Sequence, residues 1–190
     1  MKSLPIFCLL GSLTLLTSSV DGAISISSSS FTYSQDFDTL ATSGTSNAFV
    51  NNSTLPGWSL FRQPAPGTAI TSYIADAGSS TTGSFFSYGA ASSTDRALGA
   101  LGSGGTYFGS PSTGAVAGWI AVAFTNSTGS LIDSITFSFD GEQWRNGGNT
   151  TAHTMVLEWG GGASFTSVST WTAPGGNFDW TSPVATSTAG

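Results

Sequence analysis

The chain has 190 residues, of which only 7% are charged, whereas an average soluble domain has about 25%. Glycine, serine and threonine together supply 84 residues, lysine occurs once at Lys2, and the formal net charge is −6. A nucleic-acid-binding protein needs a basic patch, and a long solvent-exposed helix needs charges of both signs, so the composition excludes both classes. An apolar content of 39% with so little charge also argues against intrinsic disorder.

Residues 1–23 have the pattern of a secretory signal peptide. Lys2 supplies a positive start, residues 4–16 form an apolar run, and small residues lead up to Ala23. The apolar run is shorter than the roughly 20 residues that cross a bilayer, so a cleaved signal is favoured over an anchor. We therefore expect a secreted or extracellular protein, in some settings held at the cell surface, with no transmembrane segment in the mature chain. The only cysteine, Cys8, would leave with the signal.

After the signal, residues 24–30 are predicted to be a flexible lead-in and residues 31–190 a single domain of β-strands. Apolar and polar residues alternate with a period of two, turn-forming residues separate the alternating segments, and the 3.6-residue period of an amphipathic helix is absent. The strand candidates are residues 31–36, 58–62, 69–76, 84–90, 94–101, 106–109, 115–125, 131–140, 153–159 and 164–172. This pattern predicts an all-β protein with an antiparallel, jelly-roll-like β-sandwich.

Some of these candidates carry sharper expectations. Residues 69–76 and 84–90 flank a stretch rich in Gly, Ser and Thr and are predicted to form a hairpin. The apolar run 115–125 is expected to be buried on both faces. Residues 126–130 are expected to be the loop of a hairpin that leads into 131–140, whose alternation places Ile135, Phe137 and Phe139 on one face.

Four segments stand out together: TYSQDFDTL at 32–40, TDRALGAL at 94–101, residues 122–147 with GEQWR directly after a strand, and MVLEW at 155–159. This set resembles an exported bacterial β-sandwich domain found in PEP-CTERM (exosortase-sorted) proteins and in related secreted multidomain proteins. The resemblance implies a sandwich fold, export and a bacterial origin, but no activity. Such domains close with further strands and many carry a sorting tail, so we expect this chain to be C-terminally incomplete.

The densest polar and aromatic cluster follows strand candidate 131–140 and comprises Asp140, Glu142, Trp144 and Arg145. Trp144 would stack on a sugar ring while its charged neighbours bind hydroxyl groups. The alternative is a structural polar core in which Glu142 pairs with Arg96 or Arg145, because an arginine among apolar strands needs a carboxylate.

Two further tryptophans, Trp171 and Trp180, lie in the Gly- and Pro-rich C-terminal region and are candidates for exposed sugar-binding rings. Catalysis has less support. A glycoside hydrolase or lyase needs two carboxylates across a cleft, for which the candidates are Asp140, Glu142 and Glu158. A catalytic triad is not expected, because His153 is the only histidine and no Gly-x-Ser-x-Gly motif occurs.

Metal binding is an open possibility only for calcium. Asp36 and Asp38, with Asp76, Asp95 and loop carbonyls, would supply the oxygen ligands that Ca²⁺ prefers. The alternative is that these aspartates cap turns through their side chains. No other cofactor is expected.

These observations predict a secreted, non-catalytic extracellular or cell-surface β-sandwich module that binds carbohydrate or matrix. Two alternatives stay open at this point. One is a glycoside hydrolase or lyase on a jelly-roll scaffold, and the other is a structural surface or biofilm-matrix protein that has lost its PEP-CTERM tail.

Overall fold

The computed structural model describes residues 6–9, 22–62, 68–103 and 118–190. Strands and one short 3₁₀ helix are the only regular elements in these ranges, so the prediction of an all-β protein is confirmed. The strands are β1 Ile6–Leu9, β2 Ile24–Ile26, β3 Asn47–Ala48, β4 Trp58–Arg62, β5 Thr68–Ala69, β6 Ser72–Asp76, β7 Ser84–Tyr88, β8 Ala97–Leu101, β9 Gly118–Val122, β10 Phe124–Asn126, β11 Ser134–Phe137, β12 Thr154–Met155 and β13 Trp180–Thr181, and the 3₁₀ helix is Phe165–Ser167.

Two sequence predictions concern residues outside these ranges. The strand candidate 106–109 lies outside the described residues, as does most of the predicted signal peptide. Strand β1 is a described part of the predicted signal peptide, and it pairs with β11 in an antiparallel ladder. Within the described ranges, no helix has the length and apolar character that crossing a membrane requires.

The chain divides into two compact units. The core unit contains the described residues 22–25, 32–62, 68–103 and 118–125. The C-terminal unit contains the described residues 6–9, 26–31 and 126–190. Sheets in both are small and open, with two to four strands each.

The core unit holds two sheets, with strand orders β3-β6-β7-β8 and β5-β4-β9. One hydrophobic cluster takes Leu60 from β4, Tyr73 from β6 and Phe85 from β7, so the two sheets share a single core. The buried apolar side chains among residues 22–62, 68–103 and 118–190 all belong to this unit. Removal of this apolar surface from water is the main contribution to the stability of the unit.

Strand β7 is buried along its whole length. Its neighbours β6 and β8 cover both edges, and its side chains alternate between two covered faces. Phe85 points into the shared cluster, whereas Phe86 and Tyr88 stack on each other on the opposite face with ring centroids 4.9 Å apart. The sequence SFFSY therefore has the aromatic content expected of a central strand.

The predicted hairpin of 69–76 with 84–90 is wrong, because β6 and β7 are neighbours but run parallel, with Ile74 opposite Phe86. Tight hairpin loops have about two to five residues, and the connector 77–83 is longer than that. Its start is also bent by Asp76, whose carboxylate accepts hydrogen bonds from the Ser79 hydroxyl and the Ser80 backbone. The chain then returns along the sheet before β7 begins.

The strand predicted at 31–36 does not form. Gln35 Oε1 accepts the backbone N–H of Phe37 at 2.8 Å, and Asp36 Oδ1 accepts the backbone N–H of Asp38 at 3.1 Å. Phe37 adopts a left-handed backbone with φ of 65°. Local side-chain bonds of this type compete with sheet hydrogen bonds, and here they turn the segment.

Strand predictions around residues 115–140 are also corrected. Strand β10 pairs with β2, and β11 pairs with β1, so residues 126–130 do not close a hairpin. They form a turn held by Asn126, whose amide donates to the Ser130 carbonyl at 2.7 Å and accepts from Thr128. Strand β9 is half-buried rather than buried on both faces.

The C-terminal unit has little buried surface. Among its residues 26–31 and 126–190, only Asn146 is buried. The apolar face expected for 131–140 is largely open to solvent, and the strand predicted at 164–172 is replaced by the 3₁₀ helix and a single bridge between Trp159 and Thr172. Large apolar residues exposed in this unit are Leu131, Ile135, Phe139, Met155, Val156, Trp171 and Val184.

Candidate functional site

The motif segment 141–145 follows β11 in the C-terminal unit. Asp140 and Glu142 are exposed, and Trp144 and Arg145 are half-buried. The Trp144 indole N–H donates a hydrogen bond of 2.8 Å to Glu142 Oε2, which fixes the ring beside the carboxylate. The structure therefore brings Glu142 and Trp144 together at the surface. The predicted structural polar core of Glu142 with an arginine stays a prediction.

Two amide side chains, one within this segment and one directly after it, bind the last residues of the chain. Gln143 pairs with the backbone of Val184 in both directions, donating to its carbonyl and accepting from its N–H, each at 2.8 Å. Asn146, only 8% exposed, donates to the Thr186 hydroxyl at 2.8 Å and to the Thr188 carbonyl at 2.7 Å. Because a side-chain amide has both donors and an acceptor, it can form the hydrogen bonds to backbone groups that a paired strand would otherwise form.

Sequence reasoning missed Gln143 and Asn146, since it weighed only the charged and aromatic members of the motif. The available signal was a pair of amide residues three positions apart, shortly after the strand predicted at 131–140. The structure also explains the glycine at position 141, because a Cβ there would collide with the indole of Trp180. Trp180 is half-buried, so the ring packs on the motif backbone and is less available to a ligand than the sequence suggested.

Arg96 lies in the core unit at the start of β8 and is 3% exposed. Its guanidinium donates to the Ser87 hydroxyl at 2.8 Å, to the Ser87 carbonyl and to the Ala90 carbonyl at 3.4 Å. Gly89 gives it space, because a Cβ at that position would collide with the guanidinium. A buried cation needs several good acceptors, and neutral oxygens of strand β7 and the turn after it supply them here.

The four aspartates suggested for calcium are engaged in turns and backbone contacts or lie at the surface. Asp36 caps its own turn, and Asp38 Oδ1 accepts the backbone N–H of Arg96 at 3.0 Å. Among the residues that the structure describes, no group of three or more Asp, Glu, His or Cys side chains is placed to hold a metal ion.

Asp76 is the aspartate whose charge is most affected by its surroundings. Burial acts to raise the pKa of this carboxyl, but hydrogen bonds from the Ser80 backbone, the Ser79 hydroxyl and neighbouring N–H groups outweigh it. The net result is a pKa below the ordinary value of 3.8. The carboxylate is therefore stabilised as the cap of the turn after β6.

The three carboxylates considered for catalysis lie at the surface. Asp140 and Glu158 are exposed, and Glu142 is occupied by the Trp144 indole. His153 is exposed at the start of β12, where its backbone N–H donates to the Ser182 hydroxyl at 3.0 Å.

A closed loop, residues 159–172, carries the most exposed of the predicted sugar-binding rings. Its ends are joined by two backbone hydrogen bonds between Trp159 and Thr172, of 2.9 and 2.8 Å. The 3₁₀ helix lies inside the loop, and the Ser167 hydroxyl donates to the Ser164 carbonyl and accepts its N–H. We call residues 159–172 the Trp171 loop. Hydrogen bonds within the loop satisfy some of its polar backbone groups, so the loop has a defined shape.

Trp171 is 38% exposed and leans against Phe165, with ring centroids 5.2 Å apart and planes inclined at 47°. Gly160 allows the loop to close, because a Cβ there would collide with Val168 and lie 2.7 Å from the Thr170 carbonyl. The ring is therefore supported from one side by Phe165 while part of its surface faces solvent. Such a supported flat ring can stack on a flat ligand at little entropic cost.

Comparisons with known proteins add no relative: no family model, curated protein or solved structure matches the chain.

Proposed function

We propose that this protein is a secreted, non-catalytic module of the extracellular space or cell surface, with a jelly-roll-like β-sandwich, that binds carbohydrate or a polysaccharide matrix. The single observation that carries the proposal is the solvent-facing ring of Trp171 in a closed, self-packed loop. The shared core of the two sheets in the core unit supports a sandwich-type arrangement. The signal-like residues 1–23 support export.

Stacking of an aromatic ring on a pyranose ring buries apolar C–H surface and needs an exposed, orientable flat side chain. Trp171 meets this requirement better than Trp180, which is packed against Gly141. Trp144 is the second candidate ring, since its orientation is fixed by Glu142. Preorganisation of a binding ring reduces the free energy that ordering it would cost.

The test is binding of the full chain to a panel of soluble polysaccharides, measured by affinity gel electrophoresis and by tryptophan fluorescence. We expect retardation by at least one polysaccharide and its loss in Trp171→Ala. The matched control is Phe124→Ala, which removes an aromatic ring of similar exposure, 40%, outside the loop. Circular dichroism would confirm that both variants fold.

No retardation by any polysaccharide would refute the proposed function. Loss of binding in Trp144→Ala, with Trp171→Ala unchanged, would keep the function but move the site to the motif segment. Equal losses in Trp171→Ala and Phe124→Ala would point to general destabilisation and would contradict the assignment of Trp171.

A further inference from the structure

The Trp171 loop contains no ionisable side chain over residues 159–172. The C-terminal stretch that carries the loop has a negative net charge, because residues 126–190 hold one arginine, Arg145, and no lysine, against the acidic residues Asp133, Asp140, Glu142, Glu158 and Asp179. An acidic polymer approaching this unit would meet net repulsion and no cation within the loop to pair with its carboxylate or sulfate groups. Charge therefore disfavours anionic ligands at this site.

The polar groups that the loop does present are hydroxyls. The exposed hydroxyl side chains of the loop are those of Ser164, Thr166, Ser167, Ser169, Thr170 and Thr172. A hydroxyl donates one hydrogen bond and accepts others, as a sugar hydroxyl does. Neutral donors and acceptors of this type match a neutral sugar, whereas recognition of a carboxylate normally uses the fork of an arginine.

The ring has a fixed orientation, set by neighbours that also carry no charge. Phe165 supports it from one side, and Gly160 lies close beneath, where a Cβ would be 3.4 Å from Trp171 Cε3. Val168 packs against the same glycine. An uncharged, oriented platform favours a ligand with an extended flat face over one that needs charge to bind.

We infer that the Trp171 loop selects neutral polysaccharides, stacking the flat face of a pyranose ring on Trp171 and discriminating against acidic polymers of the same backbone. The inference rests on the proposed function and adds the chemical class of the ligand. Because no ion pair forms, binding is nearly independent of salt, whereas electrostatic attraction to a charged polymer falls steeply with ionic strength.

The experiment compares two polymers that share one β-glucan backbone, hydroxyethyl-cellulose, which is neutral, and carboxymethyl-cellulose, which is anionic. Neutral xylan and galactomannan and cationic chitosan complete the panel, each measured in the full chain at low and at high salt. We expect retardation by neutral polymers at both salt concentrations and none by carboxymethyl-cellulose. Trp171→Ala should weaken binding by about tenfold or more, as truncation of an aromatic anchor does.

Gly160→Ala is the second variant, because it keeps the ring but places a Cβ against Val168, the Thr170 carbonyl and the Trp171 ring, so the closed loop must shift. We expect it to weaken binding to neutral polymers while the circular dichroism spectrum is retained. A matched control is Gly147→Ala, since a Cβ at Gly147 meets no atom within 4 Å. Unchanged binding in Gly160→Ala would contradict an oriented ring.

The outcomes separate the two claims. Trp171-dependent binding that is equal or stronger for carboxymethyl-cellulose, or confined to chitosan at low salt, would overturn the neutral-ligand inference and leave the proposed function standing. Absence of binding to every polymer would overturn both.

Discussion

Replacement of Ser87 by alanine tests whether neutral oxygens stabilise the buried guanidinium of Arg96. Ser87 is fully buried, and its hydroxyl accepts the Arg96 Nε–H at 2.8 Å. Hydrogen bonds to charged groups contribute about 1.5–3 kcal/mol. Alanine removes this acceptor without opening a space large enough for water, so one N–H of the cation is left without its partner. We expect the free energy of unfolding to fall by about 2 kcal/mol.

This loss is large for a serine-to-alanine change and is measurable in two ways. Urea unfolding followed by tryptophan fluorescence includes the core unit through Trp58 on β4 and Trp119 on β9, with the other four tryptophans reporting on the C-terminal unit. Thermal unfolding should shift by about 8–16 °C if the core unit unfolds by itself, since 1 kcal/mol corresponds to about 4–8 °C in a domain of roughly 60–100 residues, and by about half as much if the whole chain unfolds together. The matched control is Ser84→Ala, a buried serine on the same strand that is not among the contacts of the arginine.

A change below about 0.5 kcal/mol in Ser87→Ala, equal to that of Ser84→Ala, would refute the reasoning. It would mean that groups other than its present hydrogen-bond partners compensate the charge of Arg96. A loss confined to Ser87→Ala would establish the guanidinium and its neutral acceptors as an organising contact of the core unit.

Two further predictions concern polar side chains that hold turns and the end of the chain. Asn146→Ala removes the side-chain amide that donates to Thr186 and Thr188, so the last residues should detach more often and exchange of the Gly190 backbone N–H, which donates to the Asn146 carbonyl, should accelerate by about tenfold or more, as expected for lost hydrogen bonds of 1–3 kcal/mol; Asn149→Ala, at an exposed asparagine, should leave this exchange unchanged, and equal exchange in both variants would contradict the role of the Asn146 side chain. Asp76→Ala should destabilise by about 0.5 kcal/mol near neutral pH, because solvent screens this carboxylate. The pKa of Asp76 is lowered in the folded state, so its contribution is present above pH 3.8 and is lost as the pH falls below that value; a difference between wild type and variant that does not shrink as the pH falls below 3.8 would contradict this assignment.

The sequence predicted best those strands whose own residue types favour a strand, whichever segment lies beside them. Residues 58–62 coincide with β4, and residues 84–90 contain the fully buried β7. Aromatic and β-branched residues at alternating positions favour strands regardless of which strand lies beside them. The parallel pairing of β6 with β7 has no such local cause, because strand order depends on contacts between distant segments and on the path of the connector 77–83.

Polar side chains explain the other differences between sequence and structure. The alternation at 31–36 resembles a strand, yet Gln35 and Asp36 turn the backbone by hydrogen-bonding to it. The same occurs at Ser164 and Ser167, where a 3₁₀ helix replaces the predicted strand. In a chain with this much Ser, Thr, Asn and Asp, a periodic pattern is a weaker predictor of strands, because local side-chain bonds compete with the ladder.

The low charge of the chain has a structural counterpart in the way its buried and half-buried polar groups are satisfied. The Arg96 guanidinium is bound by a hydroxyl and carbonyls, and Gln143 and Asn146 bind backbone with amides. Neutral acceptors provide directional hydrogen bonds without the desolvation penalty of a second buried charge. The same chemistry at the surface, hydroxyls around the uncharged Trp171 loop, supports a neutral ligand. One compositional bias thus accounts for both the interior contacts and the proposed specificity.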